Sequence, residues 1–339
     1  MTEDPRHTKP PKKKHMRVPV MVGLDLLAIV IGLNVFAWFH HVRDAYFPRE
    51  PKQQEMVVLT TPVPTAAPAP AVEPSGETPA PSPVYTGRWG EKFADKFTDG
   101  EVIRTEDTYR SANVNVTIRH VEEEGLDYHV ADIYIRDIQY LRTAFGEKGY
   151  GSRSLTADLA AANHAVVAIS GDYYSARQEG IVVRNGVLYR ETRFEDVCIL
   201  LGDGRLVTVP NNAVDLDELR EAAPWQVWSF GPRLLEDGKA MTKFTSAVTR
   251  KNPRSAIGYV EPGHYYFVQV DGRGANGSHG MTMQELAALF ESLGCQSAYN
   301  LDGGQTAGFA WGGELLSFPY GRSVSDIVYI TDEAVQTEG

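Results

Sequence analysis

Cysteine is nearly absent from this chain: Cys198 and Cys295 are the only two in 339 residues. Two thiols cannot build a disulfide framework or a cysteine zinc site. Each lies in an apolar, strand-like stretch, which favours buried free thiols over a single bridge. Basic charge is also scarce, with 33 Lys and Arg against 44 Asp and Glu and a formal net charge of -11. A general nucleic-acid binder needs a basic face to neutralise phosphates, so no nucleic-acid partner is expected. No repeat of fixed period is present, which excludes a solenoid or propeller array. No His-rich or paired metal-ligand spacing occurs either, and neither a metal nor another cofactor is expected.

Large apolar residues are sparse between Pro48 and Pro83, where Pro, Ala, Thr and Glu dominate, as in TTPVPTAAPAPAVEPSGETPAPSP. Such a segment cannot form a core, and its proline density favours an extended polyproline II spacer. The chain as a whole is 42% hydrophobic, enough for one or two domains with sizeable cores. One apolar run stands apart. Val18 to Phe39, VPVMVGLDLLAIVIGLNVFAWF, is long enough to cross a bilayer at about 1.5 Å per residue. Asp25 and Asn34 interrupt it, and a mid-membrane carboxylate costs roughly 2.5 to 3.5 kcal/mol, which the surrounding aliphatic residues offset. Arg6, Lys9, Lys12, Lys13, Lys14 and Arg17 precede the run, so the positive-inside rule puts the N-terminus in the cytoplasm. No small-x-small cleavage site follows, which favours a retained signal anchor. The expected organisation is a basic cytoplasmic tail over residues 1–17, a transmembrane anchor over 18–39, a proline-rich extracytoplasmic linker over 40–84 and a folded domain over 85–339. The domain would then lie outside the cell membrane on a single-pass anchor.

Within the domain, alternating apolar residues and glycine turns return. Val114, Val116 and Ile118, then Tyr128 to Ile135, predict an antiparallel pair. Gly180 to Leu188 reads as a hairpin with an Asn-Gly turn. Ser154 to Asn163 predicts a helix, followed by a strand over Ala165 to Ile169 that ends at Gly171 and Asp172. Thr282-Met283-Gln284-Glu285 has capping-box form and opens a second helix that stops at Gly294. A strand from Gln296 to Leu301 follows and ends on Asp302-Gly303-Gly304, with Asn300 and Asp302 on one face. Two helix-strand units thus each deliver a carboxylate at a strand end, where ligand sites form in α/β sheets. Arg254 and Arg273 sit beside strand ends and glycine turns, where guanidinium groups can hold a phosphoryl group. The expected fold is α+β, a mixed α/β arrangement of largely antiparallel sheet with covering helices, preceded by one transmembrane helix.

The segments AISGDYYS, GIVVRNGVLY, SFGPRLL, NPRSAIG, VQVDGR, GMTMQELA, AYNLDGGQTA and GRSVSDIVYI occur in this order between about Ala165 and Ile330. Together they resemble the phosphodiester glycosidase family, which includes an N-acetylglucosamine-1-phosphodiester glycosidase and bacterial exopolysaccharide-associated members. The resemblance implies hydrolysis of the glycosidic bond in a sugar-1-phosphodiester, with a sugar phosphate or polysaccharide as substrate. It implies catalytic roles for Asp302 and Asp172, acting on the sugar or on water, and for Arg254 on the phosphate, with Asp271 orienting Arg273 or the substrate. Substrate binding would fall to Arg273, Asn300, Gly303, Gly304, Thr306 and Gly171. The chain departs from the family pattern at Gln305-Thr306-Ala307, where a second hydroxyl is lost, and at Ser170, where an amide is lost. These departures bear on sugar specificity. A catalytically silent glycan-binding or polysaccharide-assembly module stays open beside the hydrolase.

Overall fold

The structure, a computed structural model, describes residues 89–333 together with the short strand Val57–Val58. The predicted anchor at Val18 to Phe39 and most of the proline-rich linker lie outside the described residues. No helix among the described residues is long and apolar enough to cross a membrane.

Among the described residues, three large antiparallel sheets and a two-stranded ribbon of Leu235–Glu236 and Lys239–Ala240 build the domain. The largest has seven strands in the order Ser297–Asn300, Arg254–Glu261, His264–Val270, Leu126–Ile135, Val114–Glu123, Thr108–Arg110 and Ile103–Arg104. A five-stranded sheet runs Glu314–Leu315, Phe309–Trp311, Ala165–Ser170, Asp326–Thr331 and Leu141–Phe145. A six-stranded sheet is centred on Gly180–Arg184 and Gln226–Trp228 and has Val57–Val58 at one edge. The predicted hairpin forms as expected: Asn185 and Gly186 at its turn have φ of 52° and 78°, the left-handed pair that matches strand twist.

Each sheet turns one face to a common core. Val116 and Ile133 from the first sheet, Val167 and Phe309 from the second, and Leu200 and Trp228 from the third belong to one buried cluster. Each outer face is covered by one short helix. Met283–Ser292 lays Leu286 and Phe290 on Ala256 and Val268 of the seven-stranded sheet. Thr156–Ala162 places Leu159 against Ala168 and Ile327, and Leu216–Glu221 places Leu219 against Ile181 and Val227. The period-2 alternation makes this possible, since Ile257 faces the central core while its neighbour Ala256 faces the helix. The largely antiparallel α+β expectation holds for the described residues. Cys198 and Cys295 fall in different clusters and are both buried free thiols.

The capping box is present in full. The Thr282 hydroxyl accepts from the Glu285 amide at 3.1 Å, and the Glu285 carboxylate accepts from the Thr282 amide at 2.7 Å. This fixes where Met283–Ser292 begins; the following strand, Ser297–Asn300, pairs antiparallel with Arg254–Glu261, Ala256 opposite Asn300.

Candidate active site

Asp302 and Asp172 both follow strands, but the strands belong to different sheets and are not parallel neighbours. Ala165–Ser170 lies in the five-stranded sheet and Ser297–Asn300 at the edge of the seven-stranded one. Their ends are joined by backbone and hydroxyl bonds. The Asp302 amide donates to Gly171 O at 2.8 Å, and the Ser170 hydroxyl donates to Asp302 O at 2.8 Å. Ser255 closes the junction by donating its hydroxyl to Ser170 O at 2.8 Å. Gly171 is required here because a Cβ would run into the Asp326 carboxylate.

The two carboxylates have opposite environments. Asp172 is buried and heavily bonded: Oδ1 accepts from the Tyr173 amide at 2.6 Å, and Oδ2 accepts from the Ser229 amide at 3.0 Å and from Arg184 at 3.3 Å. Arg184 is itself fully buried and gives its Nε to Asp326 at 2.7 Å. Asp172 thus anchors a buried Asp–Arg–Asp network behind the site. Asp302 instead borders a cavity of about 470 Å³. Its Oδ2 is buried with no hydrogen-bond partner among the described residues. Burial pushes its carboxyl up to about 7, against the opposing pull of the Thr306 hydroxyl and the Arg322 and Arg177 guanidiniums.

The cavity gathers most of the predicted residues. Arg254, Arg273, Asn300, Gly303 and Gly304 line it with Asp302. Arg254 is buried, its Nε bonded to Met281 O at 3.0 Å, and its guanidinium is pulled down to about 10 by burial and by the neighbouring Arg273 charge. Arg273 is exposed and held by Asn252 Oδ1 at 3.1 Å. Asn300 gives its amide to Gly231 O at 2.8 Å and keeps a buried carbonyl oxygen without a partner among the described residues. Gly303 passes so close to Pro253 that a Cβ would sit 2.6 Å from its carbonyl oxygen. Thr306 lies just behind, donating to Gly303 O at 2.6 Å.

Asp271 stands apart from this group. It is fully buried, accepts from Gln269 Nε2 at 2.7 Å, Asn276 Nδ2 at 2.9 Å and the Phe318 amide at 3.0 Å, and does not line the cavity. Its carboxylate pins a loop, and Arg273 donates to Asn252 Oδ1 instead.

Several cavity residues escaped the sequence reading. Arg177 enters from the turn after Asp172, 3.9 Å from that carboxylate, with its guanidinium 4.5 Å from the Phe194 ring centre and 5.4 Å from that of Phe230. With Tyr173 these rings form an aromatic wall, and Glu195 adds a second carboxylate, pushed up by burial. Tyr173 and Phe230 fall inside quoted segments, but Arg177, Phe194 and Glu195 belong to none. Arg184 left a signal in the sequence, as a lone charge closing the apolar run Ile181-Val182-Val183.

Taken together, the cavity offers cations for an anion, an aromatic wall for a sugar face, and one carboxyl poised between its two protonation states near neutrality. A family model described as phosphodiester glycosidase matches residues 163–331. An uncharacterised SPbeta prophage-derived protein, YomE, of Bacillus subtilis is 30% identical over 179 residues, covering 50% of this chain and 28% of its own length. The chain therefore spans well under half of that relative. Among solved structures, the zebrafish N-acetylglucosamine-1-phosphodiester alpha-N-acetylglucosaminidase catalytic domain, auto-inhibited by its pro-peptide, superposes with a TM-score of 0.53 at 19% identity. The superposition covers 70% of this chain and 86% of that domain, a likeness of fold.

Proposed function

Because this chain belongs, through residues 163–331, to the phosphodiester glycosidase family of hydrolases, we propose that it hydrolyses the glycosidic bond of a sugar-1-phosphodiester. Arg254 and Arg273 hold the phosphate, whose negative charge grows as the anomeric carbon-oxygen bond breaks. The bonding electron pair leaves with the phosphomonoester, so no strong general acid is needed. Water supplies the new bond to the anomeric carbon, and Asp302 as carboxylate takes the proton that the water loses. A base with its pKa near 7 suits this work at neutral pH. Tyr173 and Phe230 stack on the sugar, and Asn300 uses its spare carbonyl oxygen to accept from a sugar hydroxyl. The reading rests above all on one observation: Asp302, whose buried Oδ2 has no hydrogen-bond partner among the described residues, lines the same cavity as Arg254 and Arg273.

We further propose that the domain works outside the cell, held by the Val18 to Phe39 anchor on its proline-rich spacer, on sugar-phosphate linkages of envelope or exopolysaccharide polymers. The support for this is the apolar run and the basic residues ahead of it.

The test uses the full-length protein with UDP-N-acetylglucosamine and simpler GlcNAc-1-phosphodiesters, in oxygen-labelled water. Release of free sugar carrying the label is expected. Label in the phosphate would mean phosphorus-oxygen cleavage and end the glycosidase mechanism. Binding across the panel without turnover, unchanged by Asp302→Asn, would establish a silent glycan-binding module instead.

A further inference from the structure

The strands Val114–Glu123 and Leu126–Ile135 form a hairpin in which His120 is the direct cross-strand partner of His129. Asp127 lies two residues before His129 and so shares its face. The two imidazoles stack with centres 4.4 Å apart and planes 1° from parallel. His120 Nε2 lies 3.2 Å from Asp127 Oδ2. One ligand atom from each of the three residues falls within 4.8 Å of the other two. A histidine-carboxylate contact by itself is an ordinary ion pair. What sets this one apart is the second carboxylate oxygen: Asp127 is 2% exposed, and its Oδ1 is buried without a hydrogen-bond partner among the described residues. A buried carboxylate oxygen without a donor is costly, and a cation bound there would satisfy it.

The surroundings also orient His129. The Asp271 carboxylate accepts from Gln269 Nε2 at 2.7 Å, which turns the Gln269 carbonyl oxygen toward His129 Nδ1, 3.4 Å away. That oxygen can only accept, so the proton belongs on Nδ1 and the lone pair is left on Nε2. A polar group that fixes the tautomer of a ligating histidine is a recurrent feature of metal sites.

We propose that His120, Asp127 and His129 bind a divalent transition-metal ion of the zinc class, which staples the two strands of this hairpin. Two imidazoles and a carboxylate are a fitting donor set for such an ion, and water on the solvent side completes a tetrahedron. With bonds of about 2.0 to 2.2 Å, neighbouring ligands stand about 3.3 Å apart, a spacing close to that between His120 and Asp127. His120, whose side chain is 47% exposed, has open space in which to turn toward the ion. None of the three residues lines the cavity of Asp302, so the role is stiffening. The Asp127 carbonyl accepts from the Asp271 amide at 2.9 Å, which ties the hairpin to the loop that carries Arg273.

The experiment uses the tag-free, chelator-treated full-length protein, with zinc followed by thermal unfolding and cobalt followed by its visible absorption. One equivalent of cobalt is expected to give the intense bands of a tetrahedral site, and zinc to raise the melting temperature. His120→Ala, on the exposed side of the hairpin, and the nearly isosteric Asp127→Asn are each expected to weaken binding by at least about tenfold. Either variant, if folded, tests the site. No melting shift and no cobalt bands in the wild type would overturn the proposal, as would zinc affinity unchanged in both variants.

Discussion

The backbone N–H of Asp302 donates to the carbonyl oxygen of Gly171 at 2.8 Å, so the turn that carries one acidic residue is hydrogen-bonded to the turn that carries the other. Through this bond the five-stranded and seven-stranded sheets share a rigid junction. It lets Asp172 be buried among amide and guanidinium donors while Asp302, one bond away along the junction, lines the cavity and keeps a carboxylate oxygen without a donor among the described residues. The division of labour between the two acids follows from this placement.

The pH dependence of turnover tests the role of Asp302. Its carboxyl is pushed up to about 7 by burial, so the base form is populated above that pH. We expect kcat/KM to rise with pH through an apparent pKa near 7, and Asp302→Asn to abolish both the rise and most of the activity. A rate that falls across the same range would make Asp302 a proton donor instead.

The same group makes a prediction about stability. Its folded-state pKa, about 7, lies above the ordinary value of 3.8, so between those values the native state binds more protons than the unfolded chain. Stability from this group is therefore fully present below about pH 4 and lost as pH rises through 7. Asp302→Asn removes the cost of a buried charge. The variant is expected to gain on the wild type with rising pH, by on the order of 4 kcal/mol at pH 8, with the gain fading toward pH 4. Urea unfolding at the two pH values measures the difference, and a gain independent of pH would mean that Asp302 ionises freely.

Arg184 is buried between Asp172 and Asp326 and also donates to the Val183 and Val227 carbonyls. Arg184→Met would strip two buried carboxylates of the guanidinium they share, leaving them chiefly amide donors, at a cost of about 3 to 5 kcal/mol. Adding Asp326→Asn to that variant should recover part of the loss, because burial already pushes the Asp326 carboxyl upward and only Arg184 and its other donors hold it down. Equal stability of the single and double variants would show that the ion pair is not the source of the effect.

Gly303 allows the Asp302 turn to pass against Pro253, the neighbour of Arg254. Gly303→Ala would force that contact apart and shift the Asp302 carboxylate relative to Arg254. A loss in kcat/KM on the order of 100-fold is expected, with the fold retained by circular dichroism. Full activity in a folded variant would show that this close approach is dispensable.

Local chemistry was legible in the sequence by itself. Thr282 and Glu285 announced the helix start, Asn185-Gly186 the hairpin, and the alternating Val114, Val116 and Ile118 the antiparallel pair, because caps, turns and pleats are set by near neighbours. The ordered segments around Asp172, Arg254 and Asp302 also carried the family. Long-range contacts decided the rest. Both acids end strands and looked alike as sequence, yet only the packing of two sheets made Asp172 a buried anchor and left Asp302 its free oxygen. Packing likewise drew Asp271 away from the cavity and brought in Arg177 and Glu195, and hairpin register set His120 beside His129. Burial and hydrogen-bond partners determine what a carboxylate or an imidazole does, and both are properties of the folded chain.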